Sequence, residues 1–188
     1  MRVIGGRLRG RKLIPIRGSD IRPTADRVRE AVFNIIASDI RDARVLDLFA
    51  GTGAMGIEAL SRGARSAVFI DGRKASLAVV RKNIDLLGIG DRSRVILWDA
   101  ARNLNCLRAE TPDIHLVFMD PPYQKSLVGP ALLHLADCGA LLPGALIVVE
   151  HAVSEPLPEE MAAYALADQR KYGKTFVSLL NYVMDAQA

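Results

Sequence analysis

The sequence predicts an α/β protein whose mostly parallel sheet carries helices on both faces and ends in an antiparallel hairpin. Three observations carry that prediction. From Arg44 onward, short apolar runs alternate with segments whose apolar residues recur at helical spacing, the mark of successive βαβ units. Near the C-terminus the alternation stops: the runs 163–171 and 175–183 are both strand-like and only Tyr172-Gly173-Lys174 separates them. No internal repeat, low-complexity tract or linker splits the chain of 188 residues; residues 1–22 read as a basic hairpin extension on a main domain, residues 23–188.

The elements follow in order. Val3-Ile4 and the run 12–16 bracket a turn rich in glycine and arginine and predict a small N-terminal β-hairpin. Pro23-Thr24 opens a helix, with Thr24 suited to cap it and Val28, Ala31, Val32, Ile35 and Ile36 forming its apolar face. Strands are predicted over 45–49, 66–70, 94–98, 114–119 and 145–150. Helices are predicted over 54–62, 74–87, near 101–107 and over 127–136. Parallel strands joined through helices are covered on both faces, so they read as nearly continuous apolar runs. With the terminal hairpin, the sheet has seven strands.

Half the residues are hydrophobic, enough for a sizeable core. No apolar run approaches the ~20 residues of a membrane span, and the first residues lack the apolar stretch of a signal peptide. Cys106 and Cys138 have neither metal-ligand nor CxxC spacing, and His115, His134 and His151 are scattered. The expectation is a cytoplasmic monomer with reduced, packed thiols and no metal site.

Charge is informative by position. Residues 1–30 hold nine basic and three acidic side chains, a local charge of +6, against −2 for the remainder. A basic arm on a near-neutral body points to a polyanionic partner, with Arg7, Arg9, Arg11, Lys12, Arg22 and Arg29 as phosphate-facing candidates.

Gly51, Gly53 and Gly56 match GxGxxG at the first strand-to-helix turn. Such glycines permit a tight turn and close approach of a ligand to the backbone. Asp71 lies 20 residues after Gly51, where a ribose-binding acid belongs. A dinucleotide would place its pyrophosphate on this turn. S-adenosylmethionine uses the same ribose acid but carries an ammonium and a sulfonium, which favour a carboxylate nearby. Asp47, at the edge of the first strand, supplies one and would be a poor neighbour for pyrophosphate. Asp99 ends the third strand, where it can accept a hydrogen bond from an adenine amine beside Trp98 and Ala100. Asp120-Pro121-Pro122-Tyr123 follows the fourth. Two prolines without N–H groups stop the strand and stiffen the loop. A carboxylate and a proline carbonyl accept both hydrogens of one NH2 group, and the tyrosine ring stacks on a flat base. Four strands in succession thus end in aspartate.

This order of motifs resembles the Rossmann-like class I S-adenosylmethionine-dependent methyltransferases. The stretch Asp47, Phe49, Ala50, Gly51, Thr52, Gly53 resembles their glycine-rich first motif; Asp71, with Gly72, their ribose acid; Asp99, with Ala100, their adenine acid. Asp120-Pro121-Pro122-Tyr123 resembles their catalytic motif for exocyclic amines of bases. Ile4-Gly5-Gly6, Arg9-Gly10-Arg11-Lys12-Leu13 and Arg22-Pro23-Thr24-Ala25-Asp26-Arg27-Val28-Arg29-Glu30 narrow the resemblance. They are similar to the bacterial family that methylates N2 of one guanine (guanine-966) in 16S ribosomal RNA. The resemblance implies S-adenosylmethionine as cofactor, 16S ribosomal RNA or an assembling small subunit as partner, residues 23–188 as the methyltransferase domain, and an RNA-holding role for the arm.

Three other readings are open at this level. A DNA adenine-N6 methyltransferase shares the tetrapeptide but usually needs a separate target-recognition region. A non-catalytic RNA-binding assembly factor is opposed by the four acids. An NAD-dependent oxidoreductase is opposed by Asp47.

Overall fold

A computed structural model of the chain describes residues 1–16, 23–108 and 114–183, with backbone alone for 23–25. Five strands are parallel: β1 (Arg44–Leu48), β2 (Ser66–Asp71), β3 (Ser93–Leu97), β4 (Ile114–Met119) and β5 (Leu141–Ala152). Two antiparallel strands, β6 (Tyr164–Tyr172) and β7 (Thr175–Tyr182), complete a seven-stranded sheet in the order β3-β2-β1-β4-β5-β7-β6. Chain order reverses on either side of β1. The crevice between β1 and β4 is therefore the topological switch point, where open α/β sheets bind ligands.

Among the described residues six α-helices flank the sheet: α1 (Pro23–Ile35), α2 (Ala37–Ile40), α3 (Ala54–Ser61), α4 (Lys74–Leu87), α5 (Asn105–Arg108) and α6 (Val128–Asp137). Strand side chains alternate between the two faces. Phe69 of β2 and Phe118 of β4 pack with Phe33, Ile57 and Val80 of α1, α3 and α4. Ile70 and Met119, one residue on, pack with Leu104, Ala131 and Leu135 on the other side. This double covering accounts for the continuous apolar runs in the strands.

Three elements depart from the sequence expectation. β5 starts at Leu141 rather than 145, because its register against β4 jumps from Ile114↔Leu141 to Leu116↔Leu146 and absorbs Pro143 and Gly144 as an irregularity. The helix near 101–107 shrinks to α5, with Asn103 Oδ1 accepting the Asn105 N–H at 3.0 Å to start it. The short α2 was not legible as a helix; it carries Ile40 into the core.

The N-terminal hairpin has one antiparallel bridge, Arg2↔Lys12, rather than two paired strands. Val3, Gly10 and Leu13 N–H groups donate across the hairpin, and four others donate to α3. Ile4 and Gly5 N–H groups donate to the two Glu58 carboxylate oxygens at 2.8 and 2.7 Å. Arg7 N–H donates to the Ser61 carbonyl and Leu8 N–H to Ser61 Oγ. Val3 and Leu13 are buried in the core. The boundary expected at residue 22 lies outside the described residues. No helix among the described residues is long and apolar enough to cross a membrane.

Candidate active site

The sheet order sets the strand-end acids side by side. Along one edge stand Asp99 after β3, Asp71 ending β2, Asp47 in β1, Asp120 after β4 and Glu150 in β5. Met119 pairs with Val149, so Asp120 and Glu150 are neighbours across the β4–β5 ladder.

Two cavities open on this edge. The larger, about 550 Å³, lies over β2 and β3 and is bordered by Asp71, Gly72, Asp99, Ala100 and all of Asp120-Pro121-Pro122-Tyr123. The smaller, about 220 Å³, lies under α1 and is bordered by Arg29, Asp47, Ala50, Thr52, Asp120 and Glu150. Phe49, Gly51 and Asp120 border both.

The glycine turn is held by its own acids. Asp71 Oδ2 accepts the Gly51 N–H at 3.0 Å and its Oδ1 accepts the Arg73 N–H at 2.8 Å. Asp47 Oδ2 accepts the Gly56 N–H at 2.9 Å. Phe49, at φ 58°, and Gly51, at φ 56°, take the left-handed turn that lifts the chain off β1. At Gly56 a Cβ would come within 2.5 Å of the Phe69 ring, so only glycine lets α3 pack this close to β2. Two loop N–H groups that a pyrophosphate would need are therefore already bound by carboxylates. This donor set fits a ligand with sugar hydroxyls and positive charge, such as S-adenosylmethionine, and does not fit a dinucleotide.

Apart from Gly53, the expected cofactor residues are spread over both cavities. Gly53 borders neither cavity; its left-handed turn (φ 77°) turns it against Phe69 and Val80, where it shapes the loop from behind. Asp47 borders the smaller cavity, not the larger, and burial lifts its pKa to about 7. Asp99 is open to solvent, accepts the Ala101 N–H and pairs with Arg102.

Asp120 is solvent-exposed on the wall that the two cavities share. Desolvation by the surrounding walls, then the charges of Glu150 and Asp47, raise its pKa, an effect that its exposure to solvent weakens. Tyr123 hydroxyl donates to Glu150 Oε1 at 2.9 Å and lies 3.3 Å from Thr175 Oγ1, which fixes a ring that is 43% exposed. The loop is latched further on. Gln124 and Ser126, both at positive φ, point their N–H groups at the Glu155 carboxylate, at 2.6 and 2.9 Å. Sequence reasoning left Glu150 unassigned and missed Thr175 and Glu155. For Glu150 the available signal was an acid ending the strand after the Asp-Pro-Pro-Tyr loop, in series with the other four.

The basic candidates divide. Arg7, Arg9, Arg11 and Lys12 are exposed, with Arg11 also donating to the Leu86 carbonyl. Arg29, expected to face phosphates, is 5% exposed. Its Nη2 donates to the Arg2 carbonyl and to Asp26, and its Nε has no partner. The periodicity of α1 puts it inward with Val32, so it joins the smaller cavity rather than the outer surface. Arg22 lies outside the described residues. No cluster of metal-binding side chains occurs among the described residues.

Comparison with known proteins adds four findings. A family model described as conserved hypothetical protein 95 matches residues 1–181. Ribosomal RNA small subunit methyltransferase D of Escherichia coli (strain K12) is 39% identical over 187 residues, spanning 100% of this chain and 91% of that protein. Among solved structures, yhhF of Escherichia coli, a proposed methyltransferase, matches with a TM-score of 0.83 at 38% identity, over 98% of this chain and 99% of that one. SMU.776, a proposed methyltransferase complexed with SAH, shares the fold at 15% identity (TM-score 0.64), over 86% of this chain and 50% of that one.

Proposed function

The chain belongs to the conserved hypothetical protein 95 family, and on that premise we propose that it transfers a methyl group from S-adenosylmethionine to the exocyclic N2 of a guanine in 16S ribosomal RNA. The observation that carries this reading is the position of Asp120 on the wall shared by the two cavities, next to a stiff Pro-Pro-Tyr loop. The relative of Escherichia coli that spans the whole chain bears the name of a ribosomal RNA small subunit methyltransferase, which supports the RNA class. The exposed arginines of the arm support it independently.

When bound, S-adenosylmethionine supplies an electrophilic methyl group on a positively charged sulfur. Asp71 would hold its ribose hydroxyls, Asp99 its adenine amine and Asp47 its ammonium, with Phe49, Gly51, Gly72 and Ala100 as the apolar and backbone walls. An aromatic amine is a poor nucleophile because its lone pair is delocalised into the ring. Asp120 and the Pro121 carbonyl accept its two hydrogens and favour a pyramidal nitrogen. Pro122 keeps the loop stiff. The Tyr123 ring stacks on the extruded base, a contact worth ~1–3 kcal/mol. Extruding the base costs a few kcal/mol, less if it is unpaired. Positioning carries much of the rate, since well-oriented reactants gain ~7–11 kcal/mol. The surplus proton on nitrogen leaves to water or to Asp120.

Asp120→Ala should keep cofactor binding by calorimetry and lose methyl transfer by ~10²-fold or more. Mass spectrometry of rRNA from cells lacking the protein should show one N2-methylguanine missing. Normal turnover by Asp120→Ala, or tritium passing into duplex DNA rather than rRNA, would overturn the assignment.

A further inference from the structure

The groups nearest Asp120 that would face the target base, the Pro-Pro-Tyr loop on the larger cavity and Glu150 on the smaller, offer hydrogen-bond acceptors, while Arg29 and Thr52 line the smaller cavity as donors. Pro121 and Pro122 have no N–H to offer. Asp120 accepts. Tyr123 has one donor, and it is spent on Glu150 Oε1. The other Glu150 oxygen has no hydrogen-bond partner among the described residues, and no cation pairs with Glu150 there. Glu150 borders the smaller cavity together with Asp120. An accessible carboxylate oxygen with no donor, in a concave wall, is an acceptor waiting for one.

Guanine is the base whose edge answers this wall. Its N2 amine and N1–H are adjacent donors. In adenine and cytosine, the ring nitrogen next to the amine is an acceptor. With Asp120 on the N2 amine, the next group along the guanine edge is N1–H, and the next strand end along the sheet is Glu150. Resting on the guanine-N2 reading above, we infer that Glu150 is the specificity-determining residue of this site: its free oxygen accepts N1–H of the target guanine and repels the lone pair that adenine or cytosine would present there.

The electrostatics agree. Burial raises the pKa of Glu150 against the opposing Tyr123 bond, and Asp120 is raised in part by Glu150, so two bare carboxylates resist sharing this wall. Two N–H donors from one base, beside the positive charge of the methyl donor, relieve that repulsion. A site built to bind a substrate N–H rejects an analogue lacking it by up to ~10⁴–10⁵-fold, because the acceptor is left unpaired.

The test uses the full chain and small ribosomal subunits reconstituted with 16S rRNA, ligated to carry either guanine or 2-aminopurine at the target nucleotide. 2-Aminopurine keeps the N2 amine and turns N1 into an acceptor. Wild type should favour guanine by ~10²-fold or more in kcat/KM. Glu150→Gln, whose amide can donate to that acceptor, should narrow the ratio at least ~10-fold. A ratio measured within one variant cancels any loss of folded enzyme. Tyr123→Phe should keep the wild-type ratio even if its rate falls. Equal use of both bases by wild type, an unchanged ratio in Glu150→Gln, or an equal narrowing in Tyr123→Phe would overturn the inference. Failure of wild type to methylate the guanine substrate at all would instead overturn the functional reading.

Discussion

Asp47 holds its carboxylate beneath the glycine turn at 3% exposure. Burial lifts its pKa from 3.8 to about 7, the Gly56 N–H opposes the rise, and the charge of Asp71 adds to it. The folded chain thus keeps a proton that the unfolded chain releases. Stability from this group is fully present below 3.8 and is lost as pH rises through about 7, by at most ~4 kcal/mol. Asp120 and Glu150, also raised, act in the same direction. Urea unfolding of the cofactor-free protein should show lower stability at pH 8 than at pH 5.5, and Asp47→Asn should flatten the difference. A cationic ligand favours the ionised acid, so affinity for S-adenosylmethionine should rise with pH through 7; a flat profile would remove Asp47 from that role. At this scale Asp71, Asp99 and Asp120 were legible, because each closes an apolar run. Glu150 was not, since an acid ending a strand looks the same whether it faces water or a neighbouring carboxylate.

At the scale of elements, the arm and α3 form one unit through Glu58, which is 1% exposed. It accepts from Ile4, Gly5 and the Arg62 guanidinium. Glu58→Ala strands two backbone donors and a cation, each unsatisfied group costing ~1–3 kcal/mol. The expected loss is about 2–5 kcal/mol in urea unfolding, with new protease cleavage within residues 1–16. Unchanged protection of the arm would show that Val3 and Leu13 suffice to hold it. Asn83 adds a second tie: it exchanges hydrogen bonds with Ile14 and donates to the Thr52 carbonyl, coupling the arm to the glycine turn. The hairpin was legible from its glycines and its two short apolar runs. Its tie to α3 was not, because the acid that takes the Ile4 and Gly5 donors sits 54 and 53 residues away from them on a helix.

At the scale of the molecule, the proposed function gives the basic arm and the acidic sheet edge separate tasks. Each arm arginine that meets a phosphate should contribute ~0.7–0.9 to the slope of log K against log salt. Arg7→Ala and Arg9→Ala should each lower that slope for 16S rRNA binding. Substitution of the inward-facing Arg29 should lower stability and leave the slope unchanged. A slope insensitive to both arm variants would move the RNA-binding surface elsewhere.

Local pattern was enough for the alternating strands and helices, the glycine turn, the run of strand-end aspartates and the excess of charge in the arm. Each depends on side-chain period or on residues within one turn of each other. It took the folded chain to put Arg29 inside, to spend the loop N–H groups of Gly51 and Gly56 on Asp71 and Asp47, and to seat Glu150 beside Asp120. The Gly51–Asp71 bond and the Asp120–Glu150 pair follow from the order β3-β2-β1-β4-β5, which makes neighbours of strands far apart in the chain. Hydrophobic period says that a strand is buried; which strand lies beside it is set by packing over the whole sheet. On the proposed function, Asp120-Pro121-Pro122-Tyr123 marks the site for an aromatic amine, and the acid on the next strand over is the inferred reason it would choose guanine.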